Sequence, residues 1–599
     1  MSPTARLLNG ITQSNKSDDL EDFMKRLFFL SLAFILAFML ISCDSGNTGD
    51  FRITLKLPID YDSVCNDLDD PDSDYTYCIN ESDQVMLSIY SKSNIADEYV
   101  YADRKLIKVT DNKGGKEEFI RSLKKGAYYR FFVEVTNSNE KLKLTGGIDG
   151  VYYDDKNNYE VSIFLAPAGD FARVVSDRTN SDKSSLQSYF DDGGSKGAAA
   201  VALKDGKIYM AGGYDMQEEE ISQKTVLFDM QSLSKSDRKN LPSKIYDHVA
   251  ALLDDGSETG MVVVGLGMGE DDVLNDSVWV YDPKTDKYDM ISLGASAMTK
   301  AKAITIDGDV YIVGGCTDGG ASASVYKISA KTGSVVSELF ATLKTGRCNH
   351  AVADFSTVVV DENDVKTVTP RILVIGGSTN YKPEGKETPV LGENFAEIVT
   401  KGSSEAINVT DRNGGDDADL KTKGLISPAA VSVIMDDKEE DETVVAVLGG
   451  YLRDGEEDAA SWVTNPSLFV FSKKDENTLV YDKNGTANEC ARPSAALLGS
   501  EEKSVLKYVA VNCGTKEIDR TKRNADNQVV FVLQVKRVKD SAIDAEVFSS
   551  SVKDSLMDEN YDRESTAVIV DGPVAVDALG QVFMLGGLYI YQVGSYAVP

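Results

Sequence analysis

The sequence predicts an all-β protein in which a small β-sandwich precedes a long repeat architecture. Three observations predict it. First, an apolar strand runs into a glycine doublet or its relic seven times after residue 200, at 208–213, 262–267, 310–315, 372–377, 444–450, 508–514 and 582–587. A strand-plus-glycine unit recurring at about fifty to seventy residues cannot bury its own face, so its copies must pack on one another. Second, small and β-branched runs precede the doublets, as at 198–203, 303–306 and 429–433. Third, residues 51–168 hold short runs in which apolar and polar residues alternate, the period of a strand with one buried face.

That third texture appears at 51–57, 85–90, 105–109, 128–135 and 159–165. Short strands, turns and about 115 residues point to an immunoglobulin-like sandwich. Leu123-Lys124-Lys125-Gly126-Ala127-Tyr128-Tyr129 is similar to the turn-and-tyrosine entry of such modules. Residues 169–196, rich in Ser, Asp, Gly and Lys, read mostly as linker after any closing strand.

The fullest repeat is Ser277-Val278-Trp279-Val280-Tyr281-Asp282-Pro283-Lys284-Thr285-Asp286-Lys287-Tyr288. It resembles the third and fourth strands of a kelch blade, with Asp282-Pro283-Lys284-Thr285 as the turn. Proline suits the second turn position because its φ is already set. The resemblance covers residues 169–599 and implies a kelch-type β-propeller of about seven blades, with six or eight left open. It implies that the small-residue run is the innermost strand, where the taper toward the axis favours small side chains. The glycine pair then ends the second strand, where backbones crowd and φ turns positive. Tyr288 stands where kelch units carry a fourth-strand Trp; the chain has two Trp in all. In the sixth unit Asn512-Cys513-Gly514 replaces the doublet. The seventh unit runs out early, so 588–593 is its expected third strand and 171–175 its fourth, closing the ring.

Lys25-Arg26 precede an apolar run from Leu27 to Ile41, followed by Ser42-Cys43. A basic start, an apolar stretch and a small residue before the cut describe a secretory signal. Leu40-Ile41-Ser42-Cys43 resembles the bacterial lipobox, which implies lipidation of Cys43 and a start at Met24. The run is short for a bilayer span, which needs about 20 residues. The expected organisation is therefore signal peptide and lipobox at 1–43, a tether at 44–50, sandwich at 51–168 and propeller at 169–599. This implies a bacterial envelope protein anchored by lipid, periplasmic or surface-exposed. With Cys43 set aside, six cysteines remain, and an oxidising envelope permits three bridges. Cys65 neighbours Cys78; blade position groups Cys316 with Cys348, and Cys490 with Cys513.

The 63 basic and 96 acidic residues give a net charge of −33. That excess argues against nucleic acid, which needs a basic footprint. Asp70, Asp72, Asp74 and Glu81 match the acidic spacing of a calcium loop, although Tyr75 replaces the glycine of its sharp turn. A solvated acidic loop is the competing reading; no other cofactor is expected. The two histidines, His248 and His350, each precede the small residue that opens a first strand, a place where kelch units often carry His. No Ser-His-Asp order, phosphate loop or zinc-protease motif appears. Basic residues before the first strands are the sharper signal: Lys196, Lys300, Arg347, Arg492 and Arg563, with Lys244 and Lys423 in looser equivalents. In kelch propellers, arginines there grip acidic ligands, since guanidinium forks match carboxylates. Pairing with acidic loops such as Glu218-Glu219-Glu220 and Glu270-Asp271-Asp272 is the alternative. The expected function is binding of a protein or glycan. A carbohydrate-active enzyme similar to a sialic-acid mutarotase is the alternative, and a copper radical oxidase a third.

Overall fold

A computed structural model describes residues 48–597 apart from 58–78, 80–82, 96, 108–117, 155–159, 176–185, 187–194, 216–217, 332, 362–365, 381–385, 413–417, 436–441, 455–460, 486–488, 501–505, 514–529, 538–542, 551–571 and 586–589. Cys43, Cys65, Cys78, the acidic positions Asp70, Asp72, Asp74 and Glu81, and Arg563 lie outside the described residues.

The N-terminal unit is a two-sheet sandwich. Thr48–Lys56 runs between Glu118–Lys124, antiparallel, and Glu160–Phe164, parallel. The facing sheet orders Val100–Ile107, Gln84–Lys92, Ala127–Thr136, Leu142–Tyr153 and Ala166–Pro167. Alternation in the sequence becomes alternation in burial: Tyr129, Phe131, Val133 and Val135 point into one core with Phe51, Ile53, Val85 and Tyr153. The Tyr129 hydroxyl donates to the Lys124 carbonyl at 2.8 Å. The turn-and-tyrosine motif thus pins its own corner.

Among the described residues, seven four-stranded antiparallel units follow, and blade 5 carries an extra strand. Blade 1, for example, is Ala199–Ala202, Lys207–Ala211, Thr225–Asp229 and Ser234–Asp237. First strands of successive blades neighbour one another around a closed ring, the first blade returning to the seventh. Blade 7 is Val574–Val576, Val582–Met584, Tyr591–Val593 and, as its fourth strand, Phe171–Arg173. The ring therefore closes by pairing Phe171 with Val593, as the sequence suggested. Blade 5 adds Asn408–Asp411, parallel to its own fourth strand Thr478–Gly485. That strand was not foreseen.

Blades stack through their large side chains. Tyr288 fills the fourth-strand aromatic place: its ring lies 4.8 Å from that of Tyr281, and its hydroxyl bonds Thr225 and Tyr209 of blade 1 at 2.7 and 3.0 Å. Two disulfides reinforce the ring. Cys316–Cys348 joins blade 3 to the entry of blade 4, and Cys490–Cys513 joins the first two strands of blade 6. Closing loops of 32 and 23 residues, each contributes about 3–4 kcal/mol by the chain-entropy estimate.

The sandwich docks on the face where first strands turn into second strands. The Gln581 side chain accepts from the Gly147 amide at 3.0 Å and donates to the Gly147 carbonyl at 3.1 Å. The Gln231 side chain bridges the carbonyls of Asp149 and Asp205. Phe164 and Ala166 share a core with Met210, Phe228 and Phe583 of the propeller. Two units thus meet through an apolar core as well as polar bonds, which leaves the opposite face of the ring open.

Candidate functional site at the channel mouth

The open face is built by the strand entries, and the glycine doublets shape it. The second doublet glycine donates its amide to a carbonyl four residues before the first strand of the next blade. Gly213 bonds Ile245, Gly267 bonds Met298, Gly315 bonds Arg347, Gly377 bonds Leu425 and Gly450 bonds Cys490, at 2.7–2.9 Å. These contacts leave no room for a side chain. A Cβ on Gly376, whose φ is +64°, would stand 2.3 Å from the Leu425 carbonyl. In blade 2, Leu266 occupies the first glycine position at φ 59°, a left-handed conformation that L-residues rarely adopt.

Two residues further along each entry comes the rim. Gly197, Asp247, Lys300, Asn349 and Ser427 all have positive φ. Each amide donates to the preceding rim carbonyl: Asp247 to Gly197, Lys300 to Asp247, Asn349 to Lys300 and Ser427 to Asn349. Arg492 takes the same position in blade 6, one residue before Pro493, just as Ser427 precedes Pro428. The result is a belt of backbone bonds around the mouth of the central channel.

Inside the belt lies a cavity of about 350 Å³ to which all seven blades contribute. Its wall is largely alanine, including Ala199, Ala250, Ala303, Ala351, Ala430 and Ala495. Among the described residues, the ionisable side chains lining it are Asp247, His248, Lys300, Lys302 and Arg492. The His248 ring nitrogens are buried, and desolvation lowers its pKa to about 4, so it is neutral at pH 7. Three bases therefore face one acid, a cationic mouth in a chain of net charge −33. Such a site draws anions, because a narrow concavity concentrates the field of its own charges.

The structure sorts the sequence candidates. Lys300 and Arg492 line the mouth together. Arg492 is 7 % exposed, with its guanidinium 5.8 Å from the Tyr451 ring. Arg347 is a correction. It stands not at the rim but two residues earlier, in the place of Ile245, Met298 and Leu425, all of them buried. Its side chain has no exposure and pairs with Glu397. It also donates to the carbonyls of Thr345, Gly376, Asn394 and Phe395 at 2.8–3.3 Å. All five guanidinium protons are thereby engaged, and Arg347 cannot meet a ligand. Lys244 takes the acidic-loop alternative, pairing with Glu270 at 2.9 Å and Glu220 at 3.8 Å.

Sequence reasoning missed Lys302 and Asp247. Lys302 holds the first-strand position that is Ala199, Ala351 or Ala429 in other blades, so its signal was a charge where the repeat keeps a small residue. The histidines are wedges between blades. The His248 Cε1 lies 2.6 Å from where a Gly212 Cβ would be, and the His350 Cε1 2.9 Å from that of Gly314. Burial lowers the pKa of His350 well below the usual range, with Arg347 and Lys302 adding to the effect.

No family model matches the chain. Kelch-like protein 40 of Mus musculus is 30% identical over 125 residues, which is 20% of this chain. The chain spans 19% of the length of that curated relative. A solved structure titled "Structure of YjhT" aligns with 60% of this chain and 98% of its own, at 12% identity and a TM-score of 0.37. What decides the matter is the doublet geometry together with the four-stranded blades and the strand that closes the ring. The propeller is of the kelch type. In this kelch propeller the doublets set the position of each rim residue, and so they decide which charges reach the mouth.

Proposed function

We propose that the protein is a non-enzymatic binding module of the bacterial cell envelope, lipid-anchored through Cys43. It presents the mouth of its kelch propeller to a protein or glycan bearing an acidic group. The observation that carries this reading is the placement of Lys300, Lys302 and Arg492 around one cavity, against Asp247 alone among the described residues. The volume of about 350 Å³ suits a sugar residue or an acidic loop tip, within the range of ordinary ligand pockets. Two disulfides favour an oxidising compartment. Among the described residues no helix is long and apolar enough to cross a membrane.

The test is binding of full-length protein to matched acidic and neutral glycans and acidic peptides. Replacing both Lys300 and Arg492 with Ala should weaken acidic ligands by about 2 kcal/mol or more, the scale of lost charge-assisted bonds, and flatten the salt dependence. Equal retention of acidic ligands by the folded double variant sinks the reading. Turnover of a sugar at enzymic rates would favour the alternative of a carbohydrate-active enzyme. Among the described residues the mouth holds one carboxylate, Asp247, which stands against a glycoside hydrolase, since glycoside hydrolysis ordinarily needs two. For the anchor, Cys43→Ser should move the protein from the membrane fraction to the soluble one, because several acyl chains at about 0.8 kcal/mol per methylene are then lost. Unchanged fractionation would point to another means of attachment.

A further inference from the structure

Blade 4 departs from its neighbours on the face opposite the mouth. The turn between its first two strands is drawn out into a ribbon of Thr357–Val360 and Lys366–Thr369, with Thr357 opposite Thr369 and Val360 opposite Lys366. The root of this ribbon is fixed. The Ser356 amide donates to Asp354 at 2.9 Å, the Arg371 amide to the Ser356 hydroxyl at 3.2 Å, and the Phe355 amide to the Arg371 carbonyl at 2.9 Å. Phe355 is buried in the blade core, and Ser432 of blade 5 donates to the Asp354 carbonyl at 2.6 Å.

Beyond the root, the first ribbon strand lies bare. Val358, Val359 and Val360 are 50, 61 and 59% exposed, and among the described residues the strand pairs with Lys366–Thr369 alone. A two-stranded ribbon is marginally stable in water and gains from a third strand. An uncovered strand edge also offers its amides and carbonyls as a template for another chain, which proteins ordinarily blunt with charge. This molecule does so on other outward edges: Lys235 and Asp237 in blade 1, Lys287 and Asp289 in blade 2, Glu338 in blade 3, and Asp103, Arg104 and Lys105 on the sandwich. Thr357–Val360 carries no charge.

We propose that Thr357–Val360 is a strand-addition site that takes an extended, β-branched segment of a partner protein flanked by basic residues. β-Branched side chains fit the exposed valine faces, while the backbone supplies the ladder. Charge decides the flanks. In the sequence Asp361, Glu362 and Asp364 follow Val360, and the chain as a whole is at −33, which opposes a second copy of itself. The ribbon and the mouth lie on opposite faces of the ring, so both can be occupied together.

The probe is a labelled synthetic peptide of five alternating Val and Thr residues flanked by two lysines on each side, titrated into the full chain. Saturable binding is expected, with slowed amide exchange at residues 358–360. Val359→Lys, an exposed change that keeps the thermal midpoint, should weaken it by about tenfold or more, as edge charges do. Replacing the peptide's lysines with glutamates should weaken it comparably. Failure to saturate, or binding that leaves ribbon exchange unaltered, overturns the proposal. Self-association of the protein that Val359→Lys abolishes also overturns it, assigning the edge to a second copy.

Discussion

Arg347→Ala should destabilise the folded chain by about 3–5 kcal/mol, the cost of stripping one partner from a buried ion pair. Glu397 has no exposure, and its carboxylate would keep only the amides of Lys344 and Thr345, at 2.7 and 3.2 Å, and the Ser404 hydroxyl at 2.6 Å. Four backbone carbonyls lose a donor in the same stroke, at the seam where blade 3 hands over to blade 4. The double variant Arg347→Met with Glu397→Gln should recover part of the loss, since no buried charge is left unpaired. Denaturant unfolding of the three proteins checks this. A loss below about 1 kcal/mol for Arg347→Ala would mean that water reaches the pair, contrary to its burial.

Acid should weaken the ring through its two wedge histidines. The folded pKa of His248 is about 4, against about 6.5 in the unfolded chain. Between those values the unfolded chain holds a proton that the folded chain refuses. The stability this supplies is fully present above pH 6.5 and lost as pH falls toward 4, about 2–3 kcal/mol by pH 4.5 for this residue alone. His350, also lowered by burial, acts in the same direction. Asp577 acts in the opposite one: desolvation raises its pKa to about 7, so its carboxyl favours the folded state on acidification. The decisive measurement is therefore a difference. His248→Gln should lose about 2–3 kcal/mol less than the parent between pH 7 and pH 4.5. Parallel pH profiles would show that the ring titrates in the folded state.

Much of this architecture was legible because its residues are forced. A glycine doublet recurs where neighbouring atoms come too close for most side chains, so the blades could be read from the spacing of the doublets. The closing strand was legible because unit seven lacked one strand and residues 171–175 offered an apolar candidate. Cys316 with Cys348 and Cys490 with Cys513 followed from blade position, and both pairs are bonded. The site was less legible. Lys300 precedes Ala301 and Arg492 precedes Pro493, whereas Arg347 is separated from His350 by Cys348-Asn349. Those two residues carry a side chain from the rim into the core, and a basic residue near a strand start looks the same in either place. The blade 4 ribbon escaped notice because its valines resemble any buried strand until the fold leaves them without a cover.

The pairing of Phe171 with Val593 also sets a timetable. Because the seventh blade borrows its last strand from the start of the propeller, that strand must wait for residues 591–593 to leave the ribosome. Until then the sandwich has its neighbours in sequence but lacks the blade 7 surface on which Gln581 holds Gly147. Contacts so distant along the chain form slowly and expose apolar edges meanwhile. Any truncation before Tyr591 would leave an open arc with Phe171 stranded, so the latch also serves as a check that synthesis has run that far.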